Sequence, residues 1–138
     1  MKKGYSVYCF LLSILFFCVL GCGNGQVGLS GKVTFSDDDT PLTVGMVNFS
    51  TSTFLAKGPI QADGTYTLGS ISEKDGLPPG QYRVYITGAS KAVVPEKGGM
   101  PTMVPIIDQK FTTAKGSGIE VDVTATTKKF DFKVDRAK

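Results

Sequence analysis

Gly80-Gln81-Tyr82-Arg83-Val84-Tyr85-Ile86-Thr87-Gly88 sets the architecture of the chain. Tyr82, Val84 and Ile86 share one parity; Gln81, Arg83, Tyr85 and Thr87 share the other. A strict period of two predicts a strand with one buried and one wet face. Leu77-Pro78-Pro79-Gly80 halts the chain just before it, since each proline fixes φ and lacks an N–H. This is expected to be a central strand of a small β-domain, with other strands packed around its apolar face.

Weaker strands with the same alternation lie on either side. Leu29, Gly31, Val33 and Phe35 alternate with Ser30, Lys32, Thr34 and Ser36. Asp37-Asp38-Asp39-Thr40-Pro41 reads as a turn whose acids bond their own backbone. Residues 44–50 form a second strand, with Val47 and Phe49 inward, and residues 54–60 a third, placed at an edge by Pro59. Asp63-Gly64 suits a hairpin turn that needs positive φ, and Tyr66 and Leu68 open a short strand after it. Residues 71–80 are a loop. Ile119, Val121 and Val123, then Phe130, Phe132 and Val134, mark two closing strands. The sum is an all-β, antiparallel Greek-key-type sandwich of about seven strands. Nothing after Cys22 reads as a helix.

The 138 residues suffice for one domain. The net charge of +3 includes Lys2 and Lys3, so the remainder is close to neutral, which argues against a nucleic-acid partner. The chain has no His. That excludes Ser-His-Asp and Cys-His catalysis and any His-ligated metal. Enzymes built on carboxylate pairs or Lys stay open on this ground alone. No cofactor is expected.

Met1-Lys2-Lys3 is a positive n-region, and residues 7–20 form an apolar run too short to span a bilayer. It ends in Val19-Leu20-Gly21-Cys22, which resembles the lipobox of bacterial lipoproteins: an aliphatic residue, a tolerant position, a small residue and the cysteine. The resemblance implies cleavage after Gly21 and a lipid on Cys22, so that the protein is held to a membrane in the cell envelope. Gly23 in place of Asp implies the outer membrane over the inner. An ordinary secretory peptide or an uncleaved anchor, with Cys22 incidental, is the alternative. With Cys9 and Cys18 removed and Cys22 acylated, the mature domain has no thiol to pair and depends on its core. The expected organisation is a signal peptide at 1–21 with its helix, a tether at 22–27 and the β-domain at 28–138.

Leu29-Ser30-Gly31-Lys32-Val33-Thr34-Phe35, Thr40-Pro41-Leu42, Asp63-Gly64-Thr65-Tyr66-Thr67-Leu68 and Leu77-Pro78-Pro79-Gly80-Gln81-Tyr82-Arg83-Val84 follow one another in the order seen in carboxypeptidase regulatory-like domains, which they resemble. The likeness covers residues 29–87 and implies a transthyretin-like (prealbumin-like) sandwich, a module without catalytic residues. Transthyretin-like hydrolases use His in their sites, which this chain lacks. Each matching residue has a physical use. Gly31 permits close backbone approach in a strand, Gly64 suits a left-handed turn, and Tyr82 can bury its ring while its hydroxyl bonds a loop, as in tyrosine corners.

Candidate sites are few. Asp37, Asp38 and Asp39 are either a solvated turn or a calcium loop, although three consecutive carboxylates cannot all point inward and no metal site is expected. Asp63 and Asp75 each precede glycine, as turn chemistry requires. Arg83 and Tyr85, on the outer face of the central strand, either cover the sheet or form, with residues 89–118, a platform for a glycan or other small ligand. Residues 89–118 are expected as a long loop, a length that is either functional or disordered, and their apolar content argues against disorder. Here Val104-Pro105-Ile106-Ile107 forms an edge strand or seals the sandwich, or, with Phe111, meets an envelope protein partner. Lys128, Lys129, Lys133, Arg136 and Lys138 make a basic end that is either solvated or held against an anionic membrane.

Overall fold

The computed structural model describes residues 25–72 and 74–138; the signal segment, Gly21 and Cys22 lie outside them. Nine strands form: β1 (Ser30–Phe35), β2 (Met46–Ser50), β3 (Leu55–Pro59), β4 (Thr65–Thr67), β5 (Gly80–Thr87), β6 (Ser90–Val93), β7 (Thr102–Pro105), β8 (Ile119–Val123) and β9 (Phe132–Val134). Seven of them make two facing sheets, ordered β4-β1-β9 and β3-β2-β5-β8, and β6-β7 stands apart as a two-stranded ribbon.

β5 is an inner strand of the larger sheet, and Tyr82, Val84 and Ile86 are buried in the core. Val47 and Phe49 lie beside Ile86 and Val84 in the antiparallel register with β2. β3 ends on Pro59 at the sheet edge, where a missing N–H breaks no ladder. From the other sheet come Leu29, Val33, Phe35, Tyr66, Phe132 and Val134. The layers meet in an aromatic cluster: Phe49 lies 5.9–6.3 Å, ring centre to ring centre, from Tyr66, Tyr82 and Phe130. Such tilted and edge-on pairs add about 0.5–1.5 kcal/mol each beyond the area they bury.

Four features depart from the sequence reading. The pairing of β1 with β9 is parallel, Val33 opposite Phe132, whereas every other ladder is antiparallel. The Asp63-Gly64 turn has the expected positive φ (83° at Gly64), but it leads from β3 in one sheet to β4 in the other, with one bridge between Lys57 and Gly69. Residues 89–118 are not a structureless loop; they hold the β6-β7 ribbon and a 3₁₀ turn, Gln109–Thr112, capped by the Asp108 carboxylate. Val27 is buried and bridges Leu77, so the fold begins inside the expected tether.

Two side chains tie loops to strands. The Tyr82 hydroxyl donates to the Pro78 carbonyl at 2.8 Å, a tyrosine corner closed over four residues. The Tyr66 hydroxyl donates to the Phe130 carbonyl at 2.6 Å, fixing the entry of β9 beside β1. Burial, with Asp131 nearby, holds that hydroxyl well above the usual tyrosine range. Gly31 sits directly beneath: a Cβ there would stand 1.9 Å from the Phe130 carbonyl oxygen.

The sandwich has two distinct ends. Val27, Leu77, the start of β5 at Gly80 and the end of β8 at Val123 lie at one end, joined by paired backbone bonds between Val27 and Leu77 and the Gly80–Val123 pairing. The end of β1, residues 106–108 and 135–137, and the exit of β5 into Gly88 and Ala89 lie at the other. They are stitched there by Asp108 N–H to Asp135 O and Ile106 N–H to Ala89 O. The ribbon leaves from this second end.

Candidate functional site

Arg83 and Tyr85 lie where the alternation puts them, on the outer face of β5. Arg83 stands opposite Glu120 of β8, and their side chains pair at 3.3 Å. Both are more than half exposed, so this pair is worth at most about 1 kcal/mol. Arg83 and Glu120 border an open cleft of about 480 Å³ with Ser50, Thr51, Ser52 and Gln81. Tyr85 does not line it. The structure thus separates the two halves of the expected platform, and only Arg83 faces the hollow. The cleft is hydroxyl-rich and shallow, suited to a polar ligand held by hydrogen bonds.

Asn48 escaped the alternation rule. Its parity is outward, yet it is buried between Lys57 of β3 and Tyr85 of β5. Its amide nitrogen donates to the Met46 carbonyl at 2.9 Å and the Thr87 hydroxyl at 3.1 Å, which meets the demand of a buried amide. A period-two pattern marks which face a residue takes, not whether that face is covered.

Of the two readings for Ile107 and Phe111, sealing the sandwich or meeting a partner, their burial fits sealing: Ile107 is 1% exposed and Phe111 7%. Ile106 is partly buried against the same cluster. The 3₁₀ turn carries Phe111 under the sandwich end, and residues 106–108 run beside 135–137. These side chains seal the fold and are not offered to a partner.

The acidic turn is neutralised from within. Arg136 donates to Asp37 at 2.9 Å, to Asp38 at 2.8 Å and to the Thr40 hydroxyl at 2.8 Å, with its guanidinium 3.7 Å from the centre of the Phe35 ring. Lys133 pairs with Asp39. The Thr40 hydroxyl and N–H, with Arg136, pull the Asp38 carboxyl down to about 2. Among the described residues, no group of three or more acidic or cysteine side chains is placed to hold a metal. Three residues of the basic end are likewise engaged: Lys129 with Asp131, Lys133 with Asp39, and Arg136 as above. Asp75 accepts from the N–H groups of Ser70, Ile71 and Ser72, which lower it to about 2; it folds its loop as an anion-capped turn.

The ribbon is the feature with no internal explanation. All of Lys91, Ala92, Val93, Thr102, Met103, Val104 and Pro105 are exposed, and so are Val94 and Met100 in the connection. Val94 is 63% exposed, Met100 89% and Met103 61%. The sequence showed these apolar residues but not the register that displays them.

No family model matches the chain, and no curated protein matches it. Among solved structures it is similar to BcpA, the major pilin subunit of Bacillus cereus, with 11% identity over 81% of this chain and a TM-score of 0.46. A variant of that pilin matches at 10% identity over 82%, with a TM-score of 0.47. A 9R-lipoxygenase from Cyanothece matches at 16% identity over 83%, with a TM-score of 0.36. The chain spans 30% of the length of the pilins and 17% of the lipoxygenase. With TM-scores below 0.5, none of these likenesses bears on function.

Proposed function

We propose that this protein is a lipid-anchored, non-catalytic module of the cell envelope that presents one end of a β-sandwich to other proteins. The supporting observation is polarity. Val27, five residues after Cys22, enters the fold at the Gly80 end of β5, and the apolar ribbon leaves at the Thr87 end. Eight strand residues separate those ends, roughly 26 Å of protein. Five residues of extended chain reach about 17 Å at most. A lipid on Cys22 holds Val27 within about 17 Å of the membrane, and with the sandwich upright the ribbon end faces away from it. The lipobox-like Val19-Leu20-Gly21-Cys22 supports the anchor, and the resemblance of residues 29–87 to carboxypeptidase regulatory-like domains supports a binding role without chemistry. Gly23 favours the outer membrane.

The test is metabolic labelling with a fatty acid, followed by detergent extraction and pull-down, with Cys22→Ala as control. Labelled wild type, unlabelled control and a specific co-purifying protein are expected. A control that is still cleaved after Gly21 and stays in the membrane removes lipid as the anchor. The cleft at Arg83 favours a second reading, a lipoprotein that holds a glycan there; Arg83→Ala would then abolish glycan binding and leave the pull-down unchanged.

A further inference from the structure

We infer that the ribbon pairs with the ribbon of a second copy, β6 against β6, to form one four-stranded sheet across a two-fold axis. Neither face of β6-β7 is covered by another element among the described residues, and a lone two-stranded ribbon is marginal in water. It gains most from further strands on a free edge. The β7 edge is blunted, because Pro101 and Pro105 flank it without N–H groups. The β6 edge, Ser90–Val93, has no proline and a single charge, Lys91. That charge sets the register. An antiparallel pairing centred on Lys91 would place two like charges directly opposite; one centred on Ala92 places each Lys91 opposite the partner copy's valine at position 93. In the Ala92 register, two alanines meet at the axis with Met103, the neighbour of Ala92 in the β6-β7 ladder, on either side. One face becomes a continuous apolar strip.

The pairing is isologous, and with the ribbon lying parallel to a membrane its axis stands normal to that surface, so both copies stay anchored to it. A four-residue edge buries well under the roughly 1,000 Å² of a stable solution dimer. Association then depends on confinement at the membrane, which raises effective concentration; to that extent it rests on the anchored reading.

Full-length chain carrying Ala92→Cys, in native membranes under mild oxidation, tests it. The two Ala92 Cα atoms would lie about 5 Å apart, within disulfide reach. Two Lys91 Cα atoms would lie about 8 Å apart and on the other face, beyond that reach. A dimer of twice the chain mass from Ala92→Cys, at least about tenfold above that from Lys91→Cys or the unsubstituted chain, is expected. Equal crosslinking of both variants, no dimer, or a thiol at position 92 captured by a different protein overturns self-pairing. Fatty-acid labelling of the same samples separates the two readings. Labelled, uncrosslinked protein refutes the pairing alone; unlabelled protein that crosslinks when concentrated in detergent refutes the anchor alone.

Discussion

Gly31→Ala should damage the fold more than any other single-methyl addition to a strand. The added Cβ would lie 1.9 Å from the Phe130 carbonyl oxygen and 2.7 Å from the Tyr66 hydroxyl. The obstacle at Phe130 is backbone, held by its N–H bond to the Ser30 carbonyl and by the Tyr66 hydroxyl. No rotamer change relieves it; β1 and the entry to β9 must part by about 1 Å or more. Overpacking of this kind costs about 1–3 kcal/mol. Disrupting the Tyr66–Phe130 hydrogen bond adds about 1 kcal/mol. The sum, about 2–4 kcal/mol, is a large share of the stability of a domain this size. Urea unfolding followed by far-ultraviolet circular dichroism would measure it, with Tyr66→Phe isolating the hydrogen-bond part. A Gly31→Ala protein within about 0.5 kcal/mol of wild type would refute the close approach of β1 to Phe130 and the account of how the smaller sheet is held.

Phe111→Ala should cost about 3–5 kcal/mol and Ile107→Ala about 2–5, measured by the same unfolding, because both side chains fill the core; losses under 1 kcal/mol would return them to the surface. Tyr82→Phe should destabilise by about 1 kcal/mol through loss of the bond to Pro78, with a thermal midpoint lowered by a few degrees. Thr40→Val removes the main group that depresses Asp38. A lowered carboxylate stabilises the fold above its unfolded value, near 4, and that contribution is lost as pH falls toward 2. The gap in urea midpoint between wild type and Thr40→Val should therefore be present at pH 6 and narrow between pH 4 and 2 to the part due to the Arg136–Thr40 bond; a gap unchanged at pH 2 would show that the carboxylate is not its source.

The strands were legible where alternation is clean. β1, β2 and β5 each carry apolar residues at every second position, and side-chain parity in a strand follows from backbone geometry alone. Proline at 59 and Asp-Gly at 63–64 gave the edge and the turn for local reasons. What depends on partners far along the chain was not legible. Asp37 and Asp38 meet Arg136 about a hundred positions away, and no local rule links them. The β6-β7 ribbon hid because Pro95, Gly98, Gly99 and Pro101 in its connection resemble a loop, and its strands lack a buried face to impose a pattern. Ile107 lies on an isolated bridge and Phe111 in a single 3₁₀ turn, both too short for a period to reveal burial. For the Arg83 platform, parity gave the face but not the curvature that leaves Tyr85 outside the cleft.

The parallel pairing of β1 with β9 has a consequence for the order of folding. Val33 waits for Phe132, 99 positions downstream, before its edge is closed. A chain emerging N-terminus first carries β1 as an open template until Phe132–Val134 arrive. Closure of so distant a contact is slow, so the interval before the last strand arrives is when the open edge of β1 is most exposed to mispairing.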